Sequence, residues 1–280
     1  IGKWMTQGDL KKERKYMEEK WFLLGDIHGD VRPIKRFYER NKDILSLDAE
    51  QNHIILLGDV GANFELHGQR DDFFKKKMSK YPFTYVCLRG NHEERAKNMM
   101  DLRPAEWEIR QKYGGEIYVE EAYPQLEYLS DIPAVYNFCG YKTLSLPGAY
   151  SIDKWYRLLH GWPWFPGEQL TEEEMETGRK LKSAEQPFDL VISHTSPLVY
   201  EPTDLFLQGI DQTMVDKTME RYLGEIERDL DYKRWAFGHY HADRIYPWND
   251  GKQVMMLFNE HAVELKKFME MKEGEEVFFG

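Results

Sequence analysis

Five short blocks of Asp, Asn and His constrain this 280-residue chain most, because each sits at the end of an apolar run of strand length. In order they are Gly25-Asp26-Ile27-His28-Gly29, Gly58-Asp59-Val60-Gly61, Arg89-Gly90-Asn91-His92-Glu93, Ser193-His194-Thr195 and Gly238-His239-Tyr240-His241. The runs predict strands over 21–26, 53–58, 83–88, 188–193 and 234–238. Amphipathic stretches predict helices over 31–42, 69–80 and 92–102. Strands alternating with helices call for a layered α/β fold, in which the carboxyl ends of the strands converge on one crevice.

The remaining segments refine that expectation. Residues 211–230 predict a helix capped by Asp211, with Val215, Met219, Tyr222, Leu223, Ile226 and Leu230 on one apolar stripe. Residues 133–147 predict a hairpin turning at Gly140-Tyr141. Asn249-Asp250-Gly251 predicts another, between 244–248 and 252–258. Antiparallel pairs beside parallel units suggest a mixed sheet or two stacked sheets. Residues 151–187 form an insertion rich in Trp and Pro, and Thr171 with Glu174 can form a capping box that opens an acidic helix. Trp155, Tyr156, Trp162, Trp164 and Phe165 in that insertion predict a satellite hydrophobic cluster, the alternative being a lid over the site. There is no repeat and no low-complexity linker. The expectation is a polar extension over 1–20 followed by a single domain over 21–280.

Composition limits the function. Lys and Arg number 38 against 49 Asp and Glu, a net charge of −11. Such a balance disfavours a stable nucleic-acid complex. No run approaches the roughly 18 apolar residues of a spanning helix, and residues 1–20 lack the apolar core of a signal peptide. No membrane association and no export are expected. Cys87 and Cys139 are too few for a disulfide framework or a thiolate zinc site and suit a reducing, cytoplasmic setting.

The five blocks together supply three carboxylate or amide oxygens (Asp26, Asp59, Asn91) and four imidazoles (His28, His194, His239, His241). Divalent first-row metals accept that mixture. Asp26-x-His28 and His239-x-His241 would point to one side if their segments were extended. A carboxylate such as Asp59 can bridge two cations. Two metals about 3.5–4 Å apart activate a nucleophile and clamp an in-line displacement at phosphorus. Any one block alone is an ordinary turn; five in this order, each behind a strand, are not.

In these motifs the sequence resembles the calcineurin-like metallophosphoesterase superfamily, whose pattern runs D-x-H, GD, GNH[DE], H, GHxH. All five are present from Asp26 to His241. The longer blocks GDVGAN, RGNHEER, GAYSIDKWYR, SHTSP and GHYH are similar to a group of bacterial and phage metallophosphatases. The resemblance implies a four-layer α/β/β/α sandwich of two mixed sheets flanked by helices. It implies one metal on Asp26, His28 and His241, a second on Asn91, His194 and His239, and Asp59 between them. The metals would be two divalent or mixed-valence ions, Mn, Fe or Zn, with Mn favoured. A metal-bridging hydroxide would attack phosphorus, with Asn91 helping to stabilise the developing charge. His92, as an imidazole with an ordinary pKa near neutrality, would protonate the leaving oxygen.

The resemblance has departures. Serine/threonine phosphatases of the superfamily carry GDxVDRG, whereas this chain has Ala62 in place of the Asp that orients the catalytic His and Asn63 in place of a phosphate-binding Arg. Either Glu93 or Glu94 substitutes as a partner, or His92 works unassisted; the second is expected, with a preference for acidic leaving groups. Arg157, Lys154, Asn63 and Arg95 are candidate substrate-binding residues. The expected substrate is a phosphorylated small molecule or phosphoprotein, cleaved as a phosphomonoester. Alternatives are a phosphodiesterase, a nucleotide pyrophosphohydrolase, or a non-catalytic protein-binding scaffold. A scaffold would lack the proton donor or several ligands, and His92 and all seven ligand positions are present.

Overall fold

The structure is a computed structural model that describes residues 19–275 except 67, 207, 208 and 210. The expected extension over 1–20 therefore lies outside the described residues, apart from Glu19 and Lys20. Thirteen strands and seven α-helices are found among the described residues. The first sheet has the order β13-β1-β2-β3-β6-β5-β4. Its strands are β1 (Lys20–Leu24), β2 (Asn52–Leu56), β3 (Thr84–Cys87), β4 (Trp107–Lys112), β5 (Gly115–Glu120), β6 (Leu126–Leu129) and β13 (Val263–Glu264). The second has the order β11-β12-β10-β9-β8-β7. It holds β7 (Ala134–Phe138), β8 (Tyr141–Leu146), β9 (Phe188–Ser193), β10 (Tyr232–Phe237), β11 (Arg244–Ile245) and β12 (Gln253–Met256).

Period-two alternation builds the layers. Trp21, Leu23, Ile55, Leu57, Val86 and Leu88 meet Ile192, Ala236 and Met255 of the other sheet in the central core. Their neighbours Phe22, Leu24, Ile54, Leu56 and Tyr85 face outward. They bury Ile34 and Phe37 of α1 (Arg32–Asn41), and Phe74 and Met78 of α2 (Gln69–Met78). Met99 of α3 (Ala96–Leu102) joins them. On the far face, Leu144, Val191, Trp235 and Phe237 bury residues of α5 (Glu172–Glu185) and α6 (Thr218–Arg228). Successive side chains alternate faces, so runs buried on both sides read as continuous apolar segments. The result is the expected four-layer α/β/β/α sandwich. The two remaining helices are α4 (Lys154–His160) and α7 (Leu265–Glu270).

Several expectations shift. The helix expected over 92–102 begins only at Ala96, because the GNH block wraps a buried carboxylate instead of coiling. The one expected over 211–230 begins at Thr218: Asp211 caps a 3₁₀ turn over Gln212–Met214, and Val215 is extended. The β7–β8 hairpin turns at Cys139-Gly140. Thr171 and Glu174 do form the capping box. The antiparallel meander β4–β5–β6 was not foreseen; its turn at Tyr113-Gly114, both with positive φ, is the signal that marks it.

The aromatic insertion also needs correcting. Phe165 is buried, but Trp155 is 71% exposed, and Tyr156 and Trp162 are also exposed. They do not form the expected satellite cluster. The seven-residue α4 uses Arg157, not an aromatic, as its inward side chain. No helix among the described residues is long and apolar enough to cross a membrane.

Candidate metal centre

The parallel strands β1, β2 and β3 of one sheet and β9 and β10 of the other all end at one edge of the sandwich. Each of the five blocks begins there. His194 ties the sheets together: its Nδ1 donates to the Leu57 carbonyl at 2.7 Å. The His239 amide does the same, donating to both Asp26 oxygens at 3.0 and 3.1 Å.

Three overlapping groups of ligand atoms result, each lying within 4.8 Å of one another: Asp26, His28 and His241; His28, Asp59 and His92; Asp59, His194 and His239. Asp59 faces two of them. Its Oδ1 lies 3.3 Å from His194 Nε2, and its Oδ2 lies 3.8 Å from His28 Nε2. The amides of Asn91 and His92 both donate to Oδ1 at 2.8 Å and hold the carboxylate in place. Asn91 Oδ1 joins the third group, 2.9 Å from His194 Nε2.

The loops reach this geometry through left-handed backbone. His28, Asp59, His239 and His241 have φ of 47°, 49°, 71° and 53°. Non-glycine residues rarely adopt such angles, and strain of this kind gathers at functional sites. Asp-x-His and His-x-His therefore do not converge as extended segments, contrary to the alternation argument; the chain folds back between the ligands. Two glycines are required by close approach. A Cβ on Gly58, whose φ is +100°, would lie 2.1 Å from His194 Nδ1. One on Gly90 would lie 2.1 Å from Asp59 Oδ1.

The donors fit cations. Since His194 Nδ1 donates to a carbonyl, its Nε2 lone pair faces two oxygens unless a positive charge stands between. Burial lowers the His194 pKa, but the Asp59 and Asp26 carboxylates outweigh it and raise it to about 9. Asp59 is the mirror case. Burial pushes its carboxyl up, yet His194, His92 and His28 together hold it well below the usual range. Burial and the charge on His194 lower His239 to about 3. His28 and His241 bring their Nε2 atoms to within 2.9 Å of each other, so that both could reach one cation.

Surrounding contacts orient these groups. Ser151 Oγ donates to Glu168 Oε2 at 2.5 Å and therefore accepts from Asn91 Nδ2 at 2.9 Å. The Asn91 amide is thereby turned with its oxygen toward His194. Glu93 accepts from the amides of Gly61 and Gly90 at 3.2 and 3.0 Å and clamps two ligand loops. Burial, with Asp59 adding to it, raises Glu93 to about 7. No signal in the sequence singled out Ser151 or Glu168, because their roles depend on a loop closing over the centre.

The structure separates the other candidates. His92 meets neither Glu93 nor Glu94; Glu94 Oε1 accepts from the Arg95 amide and from Asn98. Arg157 lies against the His92 ring, a buried guanidinium whose Nη2 crowds both ring nitrogens and whose Nε donates to Asp153 at 2.9 Å, while Asp59 Oδ2 stands 4.0 Å from His92 Nε2. Burial lowers the His92 pKa to about 4; Asp59 opposes this and Arg157 adds to it. Asn63 is buried behind the GNH loop in a small cavity with Arg89 and Glu93 and does not face the cluster. Arg95 pairs with Glu174 and with the Gly167 and Gln169 carbonyls, pinning the insertion. Lys154 sits 4.0 Å from the centre of the Trp164 ring. None of these three is brought to the cluster, whereas Arg157 is.

Two carboxylates, an amide and imidazoles on the shared carboxyl edge of two stacked sheets make up a candidate metal centre. Residues 21–243 match the model of the calcineurin-like phosphoesterases, and the chain belongs to that family. It is thus a metal-dependent phosphoester hydrolase of a family that works with two metal ions. No curated protein matches the sequence. Among solved structures it is similar to TT1561 of Thermus thermophilus (11% identity, 92% of this chain and 99% of that one, TM-score 0.45). Others are a dimetal phosphatase of Danio rerio (10%, 88% and 92%, TM-score 0.48) and a phosphopantetheinyl hydrolase of Mycobacterium tuberculosis (15%, 87% and 91%, TM-score 0.40).

Proposed function

We propose that the chain is a cytoplasmic phosphomonoesterase with two metals, manganese being the first choice. Asp26, His28 and His241 would hold one ion, and Asn91, His194 and His239 the other, with Asp59 shared. The observation that carries this reading is Asp59, whose two oxygens face separate imidazole groups. Two bound cations would supply Lewis acidity toward phosphate oxygens and a water of lowered pKa. Arg157 binds the phosphate and sets its orientation, as a buried fork of donors suits an oxyanion. A phosphate there offsets the positive charge beside His92 and favours its protonated ring. His92 then donates that proton to the departing alkoxide.

A second reading has one observation in its favour. His92 lines two clefts, one also edged by Arg32, Arg70 and Lys77 and the other by Tyr150 and Phe206. A phosphodiester with an arm in each fits that layout. The test is a panel of aryl phosphate, aryl phosphodiester, phosphopeptide and dinucleotide on chelated protein reloaded with Mn²⁺. Hydrolysis of the monoester at the highest kcat/KM is expected. A higher value for the diester replaces the first reading with the second, and no hydrolysis by protein carrying two metals overturns both.

A further inference from the structure

The cleft on the Tyr150 side of the metal centre, about 440 Å³, is enclosed by Tyr150, Phe206, Val215 and Tyr240 and opens onto His92 and His241. That is the size that holds a small molecule. Its polar lining is one-sided. Asp153, Glu201, Asp216 and Glu220 contribute carboxylates, and Lys217 is the one Lys or Arg among its described lining residues. Lys217 is already committed, donating to Glu201 Oε1 at 2.6 Å.

Glu220 is the unusual member. It projects from the first turn of α6, is only 4% exposed, and accepts from Thr195 Oγ1 at 2.7 Å through Oε1. Its Oε2 is buried with no hydrogen-bond partner. A buried carboxylate oxygen without a donor is costly, and a donor brought by a ligand would relieve that cost. Thr195 follows His194 directly, and its hydroxyl also meets Tyr240, which lies between His239 and His241. Glu220 therefore stands one residue away from the metal cluster.

We propose that this cleft binds the alcohol part of a small phosphoester, and that Glu220 selects an alcohol bearing a primary ammonium. The inference rests on the phosphoesterase reading for the placement of phosphate at the metals. An ammonium supplies the missing donor and a charge opposite to that of the lining. An anionic alcohol would meet the carboxylates of Asp216 and Glu220, whereas Asp153 is paired with Arg157 and Glu201 with Lys217. Burial raises the Glu220 pKa, and a cation beside it works in the opposite direction.

The test uses two pairs of substrates that differ only in ammonium against methyl: phosphoethanolamine with n-propyl phosphate, and O-phosphotyramine with 4-propylphenyl phosphate. On the Mn²⁺-loaded enzyme, kcat/KM favours the ammonium member of at least one pair tenfold or more, carried in KM. In Glu220→Gln, which keeps an acceptor for Thr195, that ratio falls to within threefold. Equal values within both pairs on the wild type overturn the proposal without any variant, as does a preference that survives the substitution. If metal-loaded protein hydrolyses none of the four, the phosphomonoesterase reading has failed. The cleft is then judged by calorimetry with tyramine against 4-propylphenol: tenfold tighter tyramine binding supports the ammonium site, and equal binding overturns it.

Discussion

At Asp59, one carboxylate accepts two backbone amides and faces imidazoles on both sides. Asp59→Asn keeps the shape and removes the charge that two cations would share. Elemental analysis should show metal content falling below two ions per chain, with the rate falling alongside it. His92 differs, because its ring is within ligand reach in one of the three groups yet is also held by Arg157. His92→Ala should keep two metals and lose turnover by about 10²–10⁴-fold, less for aryl phosphates whose leaving groups need little protonation. Loss of a metal in that variant would make His92 a ligand instead. Ser151 acts one step further out, fixing which end of the Asn91 amide faces the centre. Ser151→Ala should weaken metal affinity about 10–100-fold by titration of the chelated protein, the usual effect of losing such a contact. Ser151→Thr should restore it. Equal affinity in all three proteins would show that Asn91 is oriented without the hydroxyl.

The strands that carry ligands were legible because they are buried on both faces: Trp21–Leu24, Ile54–Leu57 and Leu190–Ile192 are unbroken apolar runs ending in metal-ligand residue types. Helix starts were less legible. The amides of Asn91 and His92 are used on Asp59, so α3 begins late, and no periodicity reports that. The destination of long side chains was not legible at all: Arg95 could be placed near the GNH block, but not its reach to Glu174, nor Arg157's reach to His92. The β1–β2 pair carries a consequence of its own. Trp21 and His53 are register partners whose rings stack at 3.9 Å, 3° from parallel. Burial, with Lys112 adding to it, lowers the His53 pKa to about 3. The fold thus prefers neutral His53, whereas the unfolded chain takes up a proton near the ordinary value of about 6.5. Its contribution to stability is complete above that value and is lost as pH falls toward 3. The slope approaches about 1.4 kcal/mol per pH unit. Denaturant titrations of wild type and His53→Phe from pH 7 to pH 4.5 check this. The variant should lose less stability over that range, and parallel curves would show that His53 takes up its proton in the fold as readily as in the unfolded chain.

Across the whole molecule, the seven candidate ligand positions come from both sheets: Asp26, His28, Asp59 and Asn91 follow strands of one, and His194, His239 and His241 follow strands of the other. The edge gathers buried carboxylates, held by backbone amides, beside imidazoles, and the His28 and His241 nitrogens face each other. The unfolded chain has no such assembled site, so metal binding adds directly to folding stability. At a free metal concentration one hundred times the dissociation constant, one site contributes about 2.7 kcal/mol. For a chain of this size that corresponds to a rise in Tm of roughly 5 °C or more. Thermal unfolding of chelated and Mn²⁺-reloaded protein should show that rise, and it should grow with metal concentration. Asp59→Asn, which removes the charge proposed to be shared by two cations, should show a much smaller metal-dependent shift. Gly58→Ala tests the same coupling from the backbone side, because its Cβ would meet the His194 ring at 2.1 Å. It should lower Tm even in chelated protein, since that ring also carries the hydrogen bond from the second sheet to Leu57. If metal leaves Tm unchanged while the protein carries two ions, the ligands are equally available in the unfolded chain. The metal centre would then not be what joins the two sheets at this edge.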